Sequence, residues 1–199
     1  MKPDIILDDT SGRVWFWPEA LMAYDVAELD QAISWRQDTI TMFGRTTPLP
    51  RLTAWYGDPT AVYHYSGIRN EPLPWIPLLN QLRQDAETLT GAPYNSVLAN
   101  RYADGSQSMS WHADDERTLG QEPRIASISL GGTRRFVLKN RRDQRRLELP
   151  LAHGSLVLMG GRLQEEWVHA LPRTRKPVAL RINLTFRCIH PDPRYQGKV

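Results

Sequence analysis

Apolar residues recur along this chain at two different periods. From Trp75 to Thr90, Ile76, Leu79, Leu82, Ala86 and Leu89 fall at helical spacing, and Gly91 follows as a stop, which predicts the clearest helix. Pro18 to Trp35 reads as another single helix, with Leu21, Leu29 and Ile33 able to share a face. Thr39 to Pro72 is rich in turn residues and aromatics and predicts short strands and loops. Beyond Pro93 the period changes. Ser96–Tyr102, Ile125–Leu130, Arg135–Leu138, Leu147–Leu149, Ser155–Met159 and Val178–Cys188 are short β-like runs, with Gly131-Gly132 and Gly160-Gly161 as turns between them. Such a series predicts a barrel or double-sheet jelly roll behind an α/β N-terminal half. The first 15 residues carry no interpretable motif, and the chain has no internal repeat or low-complexity segment.

Composition narrows the class. At 199 residues the chain is the size of one domain. Its 41% hydrophobic and 24% charged residues permit a sizeable core and exclude general disorder. Mean hydropathy is −0.49, and no run approaches the ~18 apolar residues of a membrane-spanning helix. The acidic start lacks a basic region followed by an apolar one, so no secretory signal is expected. A single cysteine, Cys188, excludes an intramolecular disulfide and a thiolate zinc cluster, and reads as a small buried hydrophobe. The expectation is a soluble cytoplasmic monomer without membrane partners.

Charge is uneven. Residues 134–146 hold seven cations against Asp143, a net +6, in a chain whose total is +3. A basic island on a slightly acidic body is the footprint of a polyanion binder, although a solvated, arginine-rich hairpin has the same composition.

Two patterns suggest chemistry. Alternation in Ala179–Ile189 sets Arg181, Asn183, Thr185 and Arg187 on one face and Leu180, Ile182, Leu184 and Phe186 on the other. The polar face is a solvated one on an ordinary sheet; inside a barrel its two arginines need an anion. Asn100 and Tyr102 repeat the i, i+2 pattern. The second pattern is His112-Ala113-Asp114 with a later His169. On an extended segment His112 and Asp114 project to one side, and a distant histidine completes the 2-His-1-carboxylate face expected of non-haem Fe(II). His-x-Asp alone arises easily by chance, and His64, His153 and His190 read as structural or surface residues.

The ordered combination is more specific. Asn100-Arg101-Tyr102, His112-Ala113-Asp114, His169 and Arg181-Ile182-Asn183-Leu184-Thr185-Phe186-Arg187 together resemble the AlkB family of Fe(II)/2-oxoglutarate-dependent nucleic-acid dioxygenases. Ile125–Gly131 and Leu149–Ser155 extend the resemblance over about residues 40–190. It implies an α+β fold: a double-stranded β-helix (jelly-roll) core at 96–190, with flanking N-terminal helices and a nucleotide-recognition lid at 1–95, all one dioxygenase domain. It implies Fe(II) on His112, Asp114 and His169. Arg181 would grip the distal carboxylate of 2-oxoglutarate, helped by Asn100 and Tyr102, and Arg187, with Asn183 nearby, would face the metal-chelating end; Thr185 also belongs to the cofactor site, and O2 is the cosubstrate. Guanidinium suits that task because it offers two parallel charge-assisted hydrogen bonds to a carboxylate.

The resemblance is closest to the subgroup that repairs double-stranded DNA, and the implied reaction is repair of alkylated, double-stranded DNA by oxidative demethylation of 1-methyladenine and 3-methylcytosine, releasing formaldehyde, succinate and CO2. A methyl group inside a duplex is unreachable, so the base must be flipped. By the same resemblance Tyr63 and Tyr65 line the base pocket, and Asp115 and Glu116 accept hydrogen bonds from an exocyclic amine. Met42-Phe43-Gly44 stands where the double-strand repair subgroup carries an apolar finger, Arg51 where an arginine approaches the opposite strand, and Arg141, Arg142, Arg145 and Arg146 along the phosphate backbone. An RNA or single-strand-specific demethylase is the alternative within the family. Outside it, a zinc hydrolase on the same triad would leave the two arginines of the last strand idle, and a simple binding module would leave the triad unexplained.

Overall fold

The computed structural model describes residues 1–42, 45–65 and 68–191. In chain order its elements are β1 (Asp4–Asp9), β2 (Gly12–Trp17), α1 (Val26–Ala32), β3 (Thr39–Met42), β4 (Arg45–Pro48), β5 (Leu52–Gly57), β6 (Tyr63–Tyr65), β7 (Ile68–Asn70) and α2 (Pro77–Thr90). Then follow β8 (Ser96–Tyr102), β9 (Met109–His112), β10 (Ile125–Gly131), β11 (Arg134–Asn140), β12 (Arg146–Leu151), β13 (Ser155–Gly160), α3 (Leu163–Glu166), β14 (Trp167–Leu171) and β15 (Arg181–Arg187). A seven-stranded sheet in the order β1-β2-β13-β10-β15-β8-β5 faces a four-stranded sheet, β12-β11-β14-β9, as a jelly roll. The hairpins β3–β4 and β6–β7 lie outside both sheets.

The period-2 pattern divides the core in two. Ala126, Ile128 and Leu130 of β10 and Ile182, Leu184 and Phe186 of β15 point to the outer face of the large sheet, where they meet Leu29 of α1 and Leu79, Leu82 and Ala86 of α2. Ile125 and Val157 point the other way and meet Phe136, Leu138 and Leu149 of the small sheet. Both faces of β10 and β15 are covered, so these two strands are fixed from either side.

Three regions differ from the sequence expectation. The helix predicted over Pro18–Trp35 is reduced to Val26–Ala32. Asp25 caps it by accepting from the amides of Ala27 and Glu28, and before it the Leu21 amide donates to the Gly154 carbonyl instead of to a helical turn. Leu21, Leu29 and Ile33 still enter one core, since tertiary bonding can place apolar residues together without a common helix. The first 15 residues, which showed no motif, start a hairpin whose β2 pairs with β13, so the N-terminal half begins with strands and not helices. The second helix starts at Pro77 because a residue preceding proline is pushed out of the helical region, and it ends at Gly91 in the left-handed region, φ 64°.

Gly131 links fold and site. It has φ 89°, and a Cβ there would lie 2.2 Å from the Leu180 carbonyl oxygen, immediately before Arg181. Gly131→Ala should cost roughly 2 kcal/mol or more through strain and displacement of β15. A thermal midpoint lower by about 5 °C is expected; an unchanged midpoint would refute the strain.

Candidate metal and cosubstrate centre

Strand register assembles the site. His112 and His169 are direct partners across the antiparallel pair β9–β14, so their rings emerge on the same face, 4.3 Å apart by centroids. Asp114 follows two residues after His112, and ligand atoms of the three side chains all lie within 4.8 Å of one another. Two of the three are held by hydrogen bonds from behind. His112 donates through Nδ1 to the Ser110 carbonyl at 2.8 Å, which leaves its Nε2 lone pair available. Asp114 accepts from Arg187 Nη2 on Oδ1 at 2.6 Å, while its Oδ2 lies 4.0 Å from His169 Nε2.

The electrostatics favour ligation. Burial would raise the Asp114 pKa, but Arg187 foremost, with the two histidines, outweighs it and holds the carboxyl below its usual range. Burial, together with His112, pushes His169 down to about 3, so its ring is neutral and has no proton to lose before it ligates a cation.

The sheet opposite supplies a buried guanidinium. Arg181 of β15 faces Tyr102 of β8, and Asn183 faces Asn100, as direct register partners. Arg181 is 2% exposed, and its guanidinium stands 5.3 Å from the Tyr102 ring centroid. Burial lowers its pKa to about 10, which measures how poorly the interior solvates this cation. Its Nη2 donates to Ser129, but its Nε is buried without a hydrogen-bond partner among the described residues. Asn183 donates to Ser127 and to the Ile128 carbonyl, and Thr185 donates to Asn183. Triad and arginines line one cavity, walled on its apolar side by Leu98, Phe136, Leu151, Met159 and Leu171. A buried guanidinium with an orphaned donor, opposite three convergent ligand groups, calls for a carboxylate anion beside a metal.

Residues 14–187 match the 2OG-Fe(II) oxygenase superfamily. The chain is 41% identical over 176 residues to alpha-ketoglutarate-dependent dioxygenase alkB homolog 3 of Rattus norvegicus, covering 83% of this chain and 59% of that protein. It is 38% identical over 178 residues to DNA oxidative demethylase ALKBH2 of Mus musculus, covering 84% and 74%. The chain belongs to the AlkB branch of this superfamily. Thus the chain spans about three fifths of the alkB homolog 3 proteins it matches. The solved structure of OsALKBH1 superposes with a TM-score of 0.65 at 15% identity, covering 93% of this chain and all of that one, which bears on the fold alone. Fe(II) and 2-oxoglutarate are the cofactors of this branch, and the donor set and the orphaned Arg181 Nε fit both.

In this AlkB-family chain the remaining expected site residues are dispersed. Arg51 does not face outward: it is 8% exposed and donates through Nε to Asn100 Oδ1 at 2.6 Å, because it enters β5 beside β8. Asp115 is exposed, 3.7 Å from Arg141, and Glu116 precedes the short 3-10 turn Arg117–Leu119. Tyr63 and Tyr65 stand on β6 and Met42 on β3; their side chains, and all of Phe43 and Gly44, lie outside the described residues.

The basic island is largely matched by acids that lie far away in sequence. Arg142 pairs with buried Glu166 at 2.7 Å, and Arg145 with Asp9 at 3.1 Å while lying over Trp167. Arg134 is buried, donating to the carbonyls of Asp104, Gln107 and Pro172. Of the four arginines assigned to the DNA backbone, Arg146 alone pairs with no acid among the described residues. A local charge count cannot see partners that folding delivers.

Sequence reading also missed a buried residue. Gln164, on α3, accepts the Asp114 amide through Oε1 at 2.9 Å and points Nε2 at Met159 Sδ in the cavity wall. A glutamine five residues before His169 carries no signal by itself; only the chain reversal at α3 brings it to Asp114. Gln164→Ala should weaken metal affinity about 10- to 100-fold. Cobalt(II) titration of the purified chain checks this, and unchanged affinity would remove the role.

Proposed function

We propose that this chain is an Fe(II)/2-oxoglutarate-dependent dioxygenase that repairs DNA by removing methyl groups from ring nitrogens, with 1-methyladenine and 3-methylcytosine as substrates. The observation that carries this reading is the facing of a pre-oriented His112–Asp114–His169 triad by a buried Arg181 with an unused donor, in one cavity. His112, Asp114 and His169 hold the iron. Arg181, next to Tyr102, grips the distal carboxylate of 2-oxoglutarate, and Asn100, Asn183 and Thr185 line its path. Arg187 keeps Asp114 ionised and oriented. Arg51 acts through Asn100 as a positioning residue. When bound, iron and 2-oxoglutarate would, with O2, supply the oxidation: one oxygen atom would enter the N-methyl group to give a hydroxymethyl group, which leaves as formaldehyde, and the other would enter succinate as 2-oxoglutarate loses CO2.

The remainder of the chain presents the base. The names of the ALKBH2 relatives support a DNA substrate. The hairpins β3–β4 and β6–β7, outside the main sheets, serve as the recognition lid: Tyr63 and Tyr65 contact the flipped base, and Met42-Phe43-Gly44 fills the gap it leaves. Asp115 and Glu116 accept from the exocyclic amine. Arg141 and Arg145 of the loop before β12 exchange their exposed acidic partners, Asp115 and Asp9, for phosphates, an exchange made easy by the small worth of exposed ion pairs. Arg142 reaches a phosphate from its pair with buried Glu166, and Arg146 does so with no acid to leave among the described residues. No helix among the described residues is long and apolar enough to cross a membrane, and a monomer working in the cytoplasm fits this reading.

Formaldehyde release from 1-methyladenine oligonucleotides, single- and double-stranded, is expected only when Fe(II) and 2-oxoglutarate are both supplied. Release without either one, or none with both, would overturn the reading.

A further inference from the structure

The outward face of the four-stranded sheet bears a groove to which the demethylase reading gives no task. His112 and Trp111 are consecutive in β9 and therefore point to opposite faces, His112 into the cavity and Trp111 outward, 44% exposed. Val137 and Ala170 form the groove's floor, and Arg135, Arg146 and Arg173 stand around it. Lys139 Nζ lies 5.2 Å from the Trp111 ring centroid. Glu148 is the acid lining the groove, and Arg135 takes it at 3.3 Å. Among the described residues, Lys139, Arg146 and Arg173 pair with no carboxylate. The large ring left in water and three uncompensated cations thus share one surface, unlike the loop beside it, whose arginines are paired.

That combination has a specific complement. Cations that lack acids attract phosphates, and an exposed indole offers a face to any base whose own face is open. A duplex has no such open face along its length; an unpaired strand does. We propose that the groove holds the unpaired nucleotides flanking the base drawn into the cavity, with one base stacked on Trp111 and phosphates on Lys139, Arg146 and Arg173. This rests on the nucleic-acid reading above and adds a single strand as a substrate form, beside the duplex that the Met42-Phe43-Gly44 finger serves. Because β9 is the edge of its sheet, a polynucleotide passing from cavity to groove crosses one strand, about 5 Å of backbone.

The test is fluorescence anisotropy of the full chain with an unmethylated labelled 12-nucleotide DNA strand, the same sequence as RNA, and its blunt DNA duplex. Trp111→Leu should weaken binding to a single strand about tenfold, Trp111→Phe by less than threefold, and neither should change binding to the duplex. A loss on DNA or on RNA supports the groove and shows which sugar it accepts. Lys139→Gln with Arg173→Gln, both off β9 and so away from His112, should reduce the slope of log affinity against log salt by about 1.4. Wild-type affinity in Trp111→Leu, or an equal loss on the duplex, would overturn the proposal. Formaldehyde release from a methylated trinucleotide by the unaltered chain tests the demethylase reading separately, and its failure leaves the binding result to stand or fall alone.

Discussion

Arg181→Met should abolish 2-oxoglutarate binding and leave the folded protein as stable as before, or more so. In the unsubstituted chain this guanidinium sits in the interior with its Nε unsatisfied and its pKa pulled down by burial. Replacing a poorly solvated buried cation by a hydrophobe of similar length removes a desolvation cost, which is often neutral or stabilising. The cosubstrate, by contrast, loses two charge-assisted hydrogen bonds of about 1.5–3 kcal/mol each, or roughly a hundredfold to ten-thousandfold in affinity. Thermal unfolding with and without 2-oxoglutarate reads both effects: the ligand should raise the midpoint of the wild type and not of the variant. A variant that unfolds earlier and still gains from 2-oxoglutarate would show that Arg181 is a structural cation.

Asp114→Ala should fail in both respects. Metal binding and formaldehyde release should be lost beyond the 100-fold of a supporting residue, because a ligand and the only carboxylate of the triad disappear together. Stability should also fall, by about 3 kcal/mol, since Arg187 loses the buried carboxylate that it touches at 2.6 Å. Asp114→Asn separates the two effects: it preserves shape and most hydrogen bonding, so stability should largely return while metal affinity stays low. Cobalt(II) titration and urea unfolding measure the two sides. Near-normal turnover in either variant would remove Asp114 from the metal site. The opposite stability effects expected at Arg181 and Asp114 come from one difference: the pair Asp114–Arg187 is complete within the protein, whereas Arg181 meets no carboxylate among the described residues.

Much of this was legible along the chain. Strict alternation from Arg181 to Arg187 separated a polar face from an apolar one, and the structure places the apolar residues in the outer core and the arginines in the cavity. The spacing of His112 and Asp114 put both on one side of an extended segment. In the predicted N-terminal helix, by contrast, the Leu21 amide is claimed by Gly154, 133 residues later, and no local pattern reports that.

The sequence by itself determined which residues face inward on each strand and which side chains carry ligand chemistry, because both follow from side-chain type and the two-residue period of a strand. Tertiary structure alone decided which of them meet. Register set His112 opposite His169 and Tyr102 opposite Arg181, the α3 reversal brought Gln164 to Asp114, and folding neutralised the arginines of the basic loop with Asp9, Asp115 and Glu166 while leaving the cations around Trp111 uncompensated. The physical reason is range. Backbone period and side-chain chemistry are properties of neighbours in sequence, whereas ion pairing, burial and strand pairing depend on distances that exist only once the chain has closed on itself.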